Sequence, residues 1–305
     1  MCASTPADAK GKTSARGGEL MLCPSVSVVI PTYNRPYPLA ELLEALSRQT
    51  YRHFEVIIVN DGGIPVHDVA ALYPELDIRL IDRRDNEGHV AARNIGVKEA
   101  RNDLIMLCDD DDLVLPCHLE RMVTALRDAD FAYADAEIVQ YRVENDQRVP
   151  SARFLFAYEY DLEAMRTFST YVPSGSVYRK SLHDEIGCFD PTVHHYWDWD
   201  FFLRAASVCR VTRVAAATVL YAFSPDGDNV SRHMSDKRRH YLRRLCEKHG
   251  LGDLPVKNFW LLLDEPEVAK RRAKSEVIWD GKPIVSRFWM QKKQDGVDKR
   301  FWGLL

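Results

Sequence analysis

Short apolar strands alternate with helical segments through the first half of the chain. Five apolar, mostly β-branched runs are separated by longer stretches of mixed polarity, and they cover residues 26–30, 55–59, 78–81, 104–107 and 131–133. Between the first two runs, Leu39, Leu42, Leu43 and Leu46 recur at the spacing of one helix face. This alternation predicts an α/β fold with a mostly parallel central sheet flanked by helices.

Polar or acidic residues follow three of these strands. They are Thr32–Asn34 after the first strand, Asn60–Asp61 after the second, and Asp109–Asp112 after the fourth. In parallel sheets, ligands bind in a crevice beyond the carboxyl ends of the strands. We therefore expect the three polar segments to converge on one binding crevice.

The run Asp109–Asp112 carries the strongest local signal. Four adjacent carboxylates repel one another, and hard divalent ions such as Mg²⁺ take carboxylate oxygens together with substrate phosphates. A metal held here would neutralise charge on a departing nucleotide. The alternative is a solvated acidic turn ahead of the helix that begins near Pro116, since Asp is favoured at helix starts. The run alone leaves both interpretations open.

The ordered motifs together carry a family resemblance. The segments VSVVIPTYNRPYPLAELLEAL, EVIIVNDGG and NEGHVAARNIGVKEARNDLIMLCDDDDLVLP resemble the family 2 glycosyltransferases of the GT-A fold. The resemblance is close over residues 26–135 and looser to residue 231. It implies an inverting transfer of a sugar from a UDP-, GDP- or dTDP-linked donor to a hydroxyl acceptor, with Mg²⁺ or Mn²⁺ as cofactor. The acceptor would be a glycan, a lipid-linked saccharide or a small molecule.

The resemblance implies a nucleotide-contacting role for two loops. The first loop comprises Pro31, Thr32, Tyr33 and Asn34. In the second, Asp61 stands where the family hydrogen-bonds the nucleotide base. Many members have two aspartates there, whereas this chain has Asn60 before Asp61.

The same resemblance places further residues beside the donor diphosphate. Arg93 and Asn94 match the segment packed next to it. Asp109, Asp110 and Asp111 match the DxD metal signature, and Asp111 is the expected metal ligand.

A second acidic constellation lies in the segment WDWDFFLR at residues 197–204. Desolvation by the flanking indoles would raise the pKa of Asp198 and make it a better general base, although an Asp here could instead cap the following helix. In the family, a Glu-Asp pair near this point supplies the base. Here Trp197 takes the Glu position and Asp198 the Asp position, so Asp198 is the predicted catalytic base and Asp200 the alternative.

Weaker signals lie around these motifs. His194 and His195 with Asp198 could form a metal site, although paired histidines more often line a loop or acceptor wall. Residues 172–176 and 187–190 resemble segments that precede the base loop and could line the acceptor pocket or simply pack. The resemblance also allows His233 to approach the diphosphate.

The chain divides into three predicted regions. We expect a disordered leader over 1–24, a catalytic domain over 25–233, and a basic, aromatic helical extension over 234–305. Within the catalytic domain, residues 25–135 form the nucleotide-binding half and 136–233 the acceptor-binding half. The formal net charge of -4 gives no reason to expect nucleic acid as a partner, and seven cysteines without a CxxC pair suit reduced thiols in the cytoplasm.

The segment 270–305 combines ten Lys/Arg with five aromatic residues: Trp279, Phe288, Trp289, Phe301 and Trp302. Such a mixture can attach a protein peripherally to an anionic inner-membrane face, which would suit a lipid-linked acceptor. The alternative is a tail that folds back on the catalytic domain. The absence of a strong amphipathic period favours the fold-back.

Two other classes of function compete with the transferase. A sugar nucleotidylyltransferase would need a Gly-rich, basic phosphate loop after the first strand, and PTYNRPYP is a poor match. A non-catalytic sugar-nucleotide or glycan-binding protein on the same fold is the other rival. The presence of Asp61, Asp111 and Asp198 counts against it.

Overall fold

A computed structural model describes residues 24–144, 147–223, 236–256, 263 and 265–295. The predicted leader, apart from Pro24, and His233 lie outside the described residues. The strands are β1 Val26–Thr32, β2 Phe54–Asn60, β3 Ile78–Asp82, β4 Leu104–Leu107, β5 Leu113–Val114, β6 Phe131–Glu144, β7 Gln147–Phe156, β8 Val177–Arg179, β9 Val211–Ala222 and β10 Glu276–Val277.

Helices fill the intervals between these strands. They are α1 Pro36–Ser47, α2 His67–Ala70, α3 His89–Glu99, α4 His118–Ala125, α5 Leu162–Met165, α6 Leu182–Ile186, α7 Trp197–Val208, α8 Asp236–His249, α9 Pro266–Ala269 and α10 Arg287–Asp295. A 3₁₀ helix, Pro191–Tyr196, runs directly into α7. The helix predicted to start near Asp198 therefore begins one residue earlier, at Trp197.

One continuous sheet organises the chain, in the order β10-β9-β6-β8-β4-β1-β2-β3. Strands β4, β1, β2 and β3 are parallel neighbours, and β6 is parallel to β9. Strand β8 runs antiparallel between β4 and β6. These pairings confirm the predicted α/β fold with helices flanking a central sheet. Strand β6 also crosses the predicted boundary at residue 135, so the two predicted halves share this sheet.

The sequence of residues 210–214 and 218–223 predicts two separate strands, but the structure has a single strand there, β9. Its pairing with β6 shifts register, because Ala134 faces Val214 whereas Asp135 faces Ala217. The intervening residues are absorbed by this irregularity within the strand rather than by a turn. The strand pattern in the sequence is interrupted at this point, because the alternation of side chains between the two faces fails where the register shifts.

Each face of the sheet has its own hydrophobic core. In β1, Val28 and Ile30 belong to the core shared with α1, while Val29 belongs to the core shared with α3 and α7. Successive strand residues point to opposite faces, so a fully apolar β1 fills both cores. Burial on both sides fixes where β1 ends, and its polar continuation must emerge at the edge of the sheet.

The described part of the basic C-terminal segment folds back on the central sheet and α1. Strand β10 adds to the sheet beside β9, and Trp279 and Phe288 are buried. The Phe288 ring meets Tyr37 of α1 edge-on at 5.1 Å between centroids. This arrangement matches the fold-back alternative for the described residues of 270–305, whereas Phe301 and Trp302 lie outside them.

Within the described residues, every helix falls short of the length and apolar character that crossing a membrane requires.

Helix α3 approaches β1 closely at Gly96. A Cβ on Gly96 would collide with Cγ1 of Val29, which is fully buried. We expect Gly96→Val to lower the free energy of unfolding by about 1–3 kcal/mol through overpacking. Urea denaturation would measure the loss. Lys98→Val is the matched control, because Lys98 is exposed on the same helix, and equal losses in the two variants would contradict the prediction.

Candidate active site

A cleft of about 540 Å³ opens at the carboxyl ends of β1, β2 and β4. Nine of the eleven predicted site residues line it: Pro31, Thr32, Tyr33, Asp61, Arg93, Asp109, Asp110, Asp111 and Asp198. The polar residues that follow β1, β2 and β4 thus meet in one crevice, as the sequence predicts. Asn34 and Asn94 are not among the described residues that line the cleft.

Asp61 is fixed by the loop that precedes α3. Its carboxylate accepts hydrogen bonds from the backbone N–H of Gly88 at 2.7 Å and of Glu87 at 3.2 Å. The Nε of Arg83 lies 3.8 Å from Oδ1. Two backbone donors and a nearby cation hold this buried carboxylate in one orientation at the cleft wall.

Asn34 fixes the conformation of the first loop through its backbone and through a contact with the second loop. It has a left-handed backbone with φ of 58°, a conformation that Asn tolerates better than most residues. Its Oδ1 accepts from the N–H of Ile64 at 2.9 Å, which ties the first loop to the second. A Cβ on Gly63 would lie 2.8 Å from the Asn34 backbone nitrogen, so Gly63 permits this approach. The nucleotide contact of Asn34 stays a prediction.

Asn60 stands where many family members have Asp, and its surroundings require an amide. Its Nδ2 donates to Asp82 Oδ1 at 2.9 Å and to the carbonyl of Ile64 at 3.0 Å. A carboxylate cannot donate either bond and would face the carboxylate of Asp82 directly. The presence of Asn instead of Asp at position 60 is therefore explained by the two acceptors that its amide contacts.

We expect Asn60→Asp to lower the free energy of unfolding by about 1–3 kcal/mol at pH 7, because two acceptors lose their donor and like charges meet. Burial and Asp82 would raise the pKa of the introduced carboxyl above its unfolded value. The cost is therefore full above the folded pKa and fades as the pH falls towards the unfolded one. Urea denaturation at pH 7 and pH 5 measures this.

The double variant Asn60→Asp/Asp82→Asn swaps the donor and the acceptor and should recover part of the loss. No recovery, or an equal loss at both pH values, would contradict the explanation.

Three carboxylates of the acidic run form a group that suits a metal. Oxygens of Asp109, Asp111 and Asp112 lie within 4.8 Å of one another. Asp112 is buried, and its Oδ2 has no hydrogen-bond partner among the described residues. Burial raises the pKa of Asp112 well above its usual range. An orphaned buried oxygen beside two other carboxylates is chemistry that Mg²⁺ or Mn²⁺ would satisfy.

The DxD resemblance covered Asp109 to Asp111 and so left Asp112 without a role. Asp112 also accepts from the N–H of Ala222 at 2.8 Å, which joins the acidic run to the end of β9. The position of Asp112 in the run of four aspartates was the sequence signal that could have identified it as a candidate metal ligand.

Asp110 points away from this group and binds the first loop. Its carboxylate accepts from Thr32 Oγ1 at 2.7 Å and from Arg35 at 3.3 Å. Burial raises the pKa of Asp110 to about 7, against the opposing effect of Arg35. Asp110 thereby joins the ends of β1 and β4. Arg35, which also pairs with Asp111, was missed at the sequence level.

Arg93 connects the acidic run to the predicted base loop. Its guanidinium donates to Asp109 and, at 3.0 Å, to the carbonyl of His89. Its Cζ lies 4.2 Å from the centroid of the Trp197 ring. A cation–π contact therefore occupies the position where the family has a Glu.

Asn94 makes a packing contact instead of a cleft contact. Its side chain donates to the carbonyl of Phe189 and accepts from the N–H of Phe189, both at 2.9 Å. This pair of bonds fastens α3 to the segment before the 3₁₀ helix. A contact between Asn94 and the donor stays a prediction.

Asp198 lies half-buried in the cleft wall at the first turn of α7. Burial raises the pKa of its carboxyl to about 6. The hydroxyl of Tyr171 donates to its backbone carbonyl at 2.7 Å, which holds the start of the helix. The result is a carboxylate that is ionised at neutral pH and more basic than an ordinary Asp.

Asp200, the alternative base, is fully buried and engaged elsewhere. Burial acts to raise its pKa, but hydrogen bonds from His249, Lys248 and Arg204 hold the pKa below its usual range. Asp200 is not among the cleft-lining residues. Its place in an ion-pair cluster suits a structural role that ties α7 to α8.

The paired histidines line the cleft beside Asp198. The His194 ring lies 4.3 Å from the His89 ring, centroid to centroid. Burial lowers the pKa of His195 to about 4, so His195 is neutral at pH 7. Among the described residues, the group whose ligand atoms lie close enough to hold a metal is Asp109, Asp111 and Asp112, here called the acidic trio. The histidines therefore suit a role in the cleft wall better than a role as metal ligands.

Comparison with known sequences follows this geometry. Residues 27–187 match the family described as "Glycosyl transferase family 2". The chain is 60% identical over 262 residues to "Uncharacterized glycosyltransferase YwdF" of Bacillus subtilis (strain 168), covering 86% of this chain and 98% of that protein. It is 28% identical over 239 residues to a "PGL/p-HBAD biosynthesis glycosyltransferase" of Mycobacterium bovis (strain BCG / Pasteur 1173P2), covering 76% and 88%.

Solved structures share the fold at low sequence identity. S. aureus TarS 1-349 in complex with UDP-GlcNAc aligns with a TM-score of 0.56 and 19% identity, over 76% of this chain and 68% of that one. The mannosyltransferase PcManGT from Pyrobaculum calidifontis, in complex with GDP-Man and Mn²⁺, aligns with a TM-score of 0.53 and 19% identity, over 77% and 67%.

Proposed function

The chain belongs to the family 2 glycosyltransferases, and on this premise we propose that Asp198 is the base of its inverting sugar transfer. The donor is a nucleotide-diphosphate sugar and the acceptor a hydroxyl group. One observation carries the proposal: Asp198, with a raised pKa, lines the same cleft as Asp109 and Asp111, two of the three carboxylates that fit a metal. A base and a leaving-group site in one cleft are what a single displacement requires.

The donor binds at the strand ends in this proposal. Pro31, Thr32 and Tyr33 form one wall, and Tyr33 is exposed at 47%, which leaves its ring open to a ligand. Asp61 has its carboxylate fixed at the second strand end, where it can accept a hydrogen bond from the nucleotide base. Arg93, beside Asp109, supplies positive charge next to the diphosphate.

Asp109, Asp111 and Asp112 would hold Mg²⁺ or Mn²⁺. When bound, such an ion neutralises the charge that develops on the departing nucleoside diphosphate. The mannosyltransferase with the same fold was solved with Mn²⁺ and GDP-Man, and TarS with UDP-GlcNAc. Both nucleotides are therefore reasonable first probes for this chain.

Asp198 takes the proton of the acceptor hydroxyl as its oxygen bonds to the anomeric carbon. The bond from that carbon to the diphosphate oxygen breaks on the opposite side, and the electron pair leaves with the nucleoside diphosphate. A single displacement inverts the anomeric configuration. The cleft contributes positioning and a base already desolvated before the acceptor arrives.

The acceptor side of the cleft favours a saccharide. The rings of His194, His195 and Tyr221 are among those that line the cleft. Ring faces of this kind pack against the apolar faces of sugars. Burial of Trp279 and Phe288 weakens the case for a membrane contact through 270–305. The described cysteines are free thiols, which suits a cytoplasmic site of action.

We expect Asp198→Asn to lower kcat about 10²- to 10⁴-fold, because the amide cannot accept the proton. The Kd for UDP or GDP with Mn²⁺ should stay within about twofold, since nucleotide binding does not depend on the base. Steady-state kinetics and calorimetry measure the two quantities. Asp184→Asn, on the exposed side of α6, is the control. Unchanged kcat in Asp198→Asn would refute the assignment.

The pH dependence of transfer follows from the same carboxyl. The base must be ionised, and burial raises its pKa to about 6, so kcat/KM should be full above pH 7 and fall as the pH drops through about 6. A nearby bound cation would move this midpoint downwards. Rates should be measured with metal kept saturating at each pH, and a kcat/KM that does not fall at all between pH 7 and pH 4 would contradict the prediction.

Product analysis separates this proposal from the rival classes. Release of a nucleoside diphosphate and an inverted anomeric signal by NMR would support it. Release of pyrophosphate would indicate a nucleotidylyltransferase, and donor binding without turnover over an acceptor panel would indicate a binding protein.

A further inference from the structure

Arg35 places a cation directly on the acidic run. It follows the first loop, immediately before α1, and lines the cleft. Its Nη1 lies 2.7 Å from Asp111 Oδ2 and 3.3 Å from Asp110 Oδ1. An arginine guanidinium stays protonated in proteins, so this positive charge is permanent. Charge compensation at the acidic run thus comes partly from the protein itself.

The pair between Arg35 and Asp111 competes with metal binding. Asp111 belongs to the trio whose oxygens lie within 4.8 Å of one another. A divalent ion in that trio would share Asp111 with a guanidinium only 2.7 Å from its oxygen. Two cations at such separation repel strongly in a partly desolvated cleft. The metal and the Arg35 guanidinium therefore exclude each other from Asp111.

The surroundings allow the side chain of Arg35 to move while the carboxylate stays. The backbone carbonyl of Asp111 accepts from Arg148 at 3.0 Å. Arg148 is buried and pairs with Glu41 of α1. Asp111 is therefore anchored through its main chain, whereas the Arg35 side chain is 30% exposed. Exchange of partners needs a side-chain rotation and no change of fold.

We propose that Arg35 is an internal counter-ion of the acidic run, displaced by the divalent metal and then bound to the donor diphosphate. This inference rests on the proposed function. Arg35 extends from the loop whose Thr32 is hydrogen-bonded to Asp110, so the released side chain starts beside the donor wall. A guanidinium is suited to this exchange because its planar fork pairs with carboxylates and phosphates alike.

The exchange couples metal and donor binding. Metal alone must break the pair between Arg35 and Asp111 without compensation. Metal together with a nucleoside diphosphate gives the released guanidinium a new anionic partner. The affinity for metal should consequently rise in the presence of nucleotide, and by linkage the reverse holds as well.

Calorimetry on full-length Arg35→Gln tests the proposal with Mn²⁺ alone and with UDP or GDP at saturating Mn²⁺. Removing the competing charge should tighten Mn²⁺ binding about 10-fold. Losing the phosphate contact should weaken nucleotide binding about 10- to 100-fold. The two affinities thus move in opposite directions, which a general loss of loop structure would not produce.

Arg35→Lys keeps the charge and loses the fork. It should bind Mn²⁺ within about threefold of the natural protein but still bind nucleotide about 10-fold more weakly. Arg48→Gln, which removes a cation paired with Glu44 on the other end of α1, is the control and should change neither affinity. Circular dichroism and Tm establish that each variant is folded.

Three outcomes overturn the inference. If both affinities fall in Arg35→Gln, the residue merely maintains the loop; if neither changes, the pair with Asp111 has no role in binding. If Mn²⁺ binding tightens but nucleotide binding is unchanged, the transfer of Arg35 to the diphosphate is wrong. If the natural protein binds neither Mn²⁺ nor nucleotide, the proposed function itself fails, and that result is distinguishable from the other three.

Discussion

The concentration of negative charge at the end of β4 is the constraint on which the site depends. Asp109 is paired with Arg93 of α3, Asp110 is held by Thr32 of β1, and Arg35 pairs with both Asp110 and Asp111, so the carboxylates recruit partners from several elements. Coulomb repulsion makes such a run unstable without these partners. The compensation also joins the ends of β1, β4 and α3 around a single cleft, so the electrostatics and the architecture of the site have one origin.

The fold was predictable where the chemistry is local. Strand β1 is apolar on both faces and ends in polar residues, which is sufficient to predict a buried parallel strand and a ligand crevice beyond it. Similarly, four consecutive aspartates after a strand predict an acidic segment at the edge of that crevice. Both features are carried by neighbouring residues in the sequence, and the structure places them as expected.

Other features depend on contacts between distant segments, and the sequence pattern could not supply them. Nothing near Arg35 indicates that it reaches Asp111, which is 76 residues away. The contacts of Asn34 with Ile64 and of Asn94 with Phe189 could not be foreseen either, because a motif does not distinguish a side chain facing another segment from one facing a ligand. The donor contacts predicted for both residues stay predictions. Likewise, the sequence favoured a fold-back of the C-terminal segment, but only the structure shows that Phe288 packs on Tyr37 of α1.

Trp197 changes the electrostatic surroundings that set the pKa of Asp198, the proposed base. Where the family has a Glu beside the catalytic Asp, this chain has an indole that stacks on Arg93. A Glu there would add a like charge near Asp198 and neutralise Arg93. The indole adds no charge and leaves Arg93 free to pair with Asp109. The pKa of Asp198 is therefore raised chiefly by burial and only secondarily by Asp109, and Arg93 opposes the shift. The basicity of the proposed base is thus set chiefly by burial.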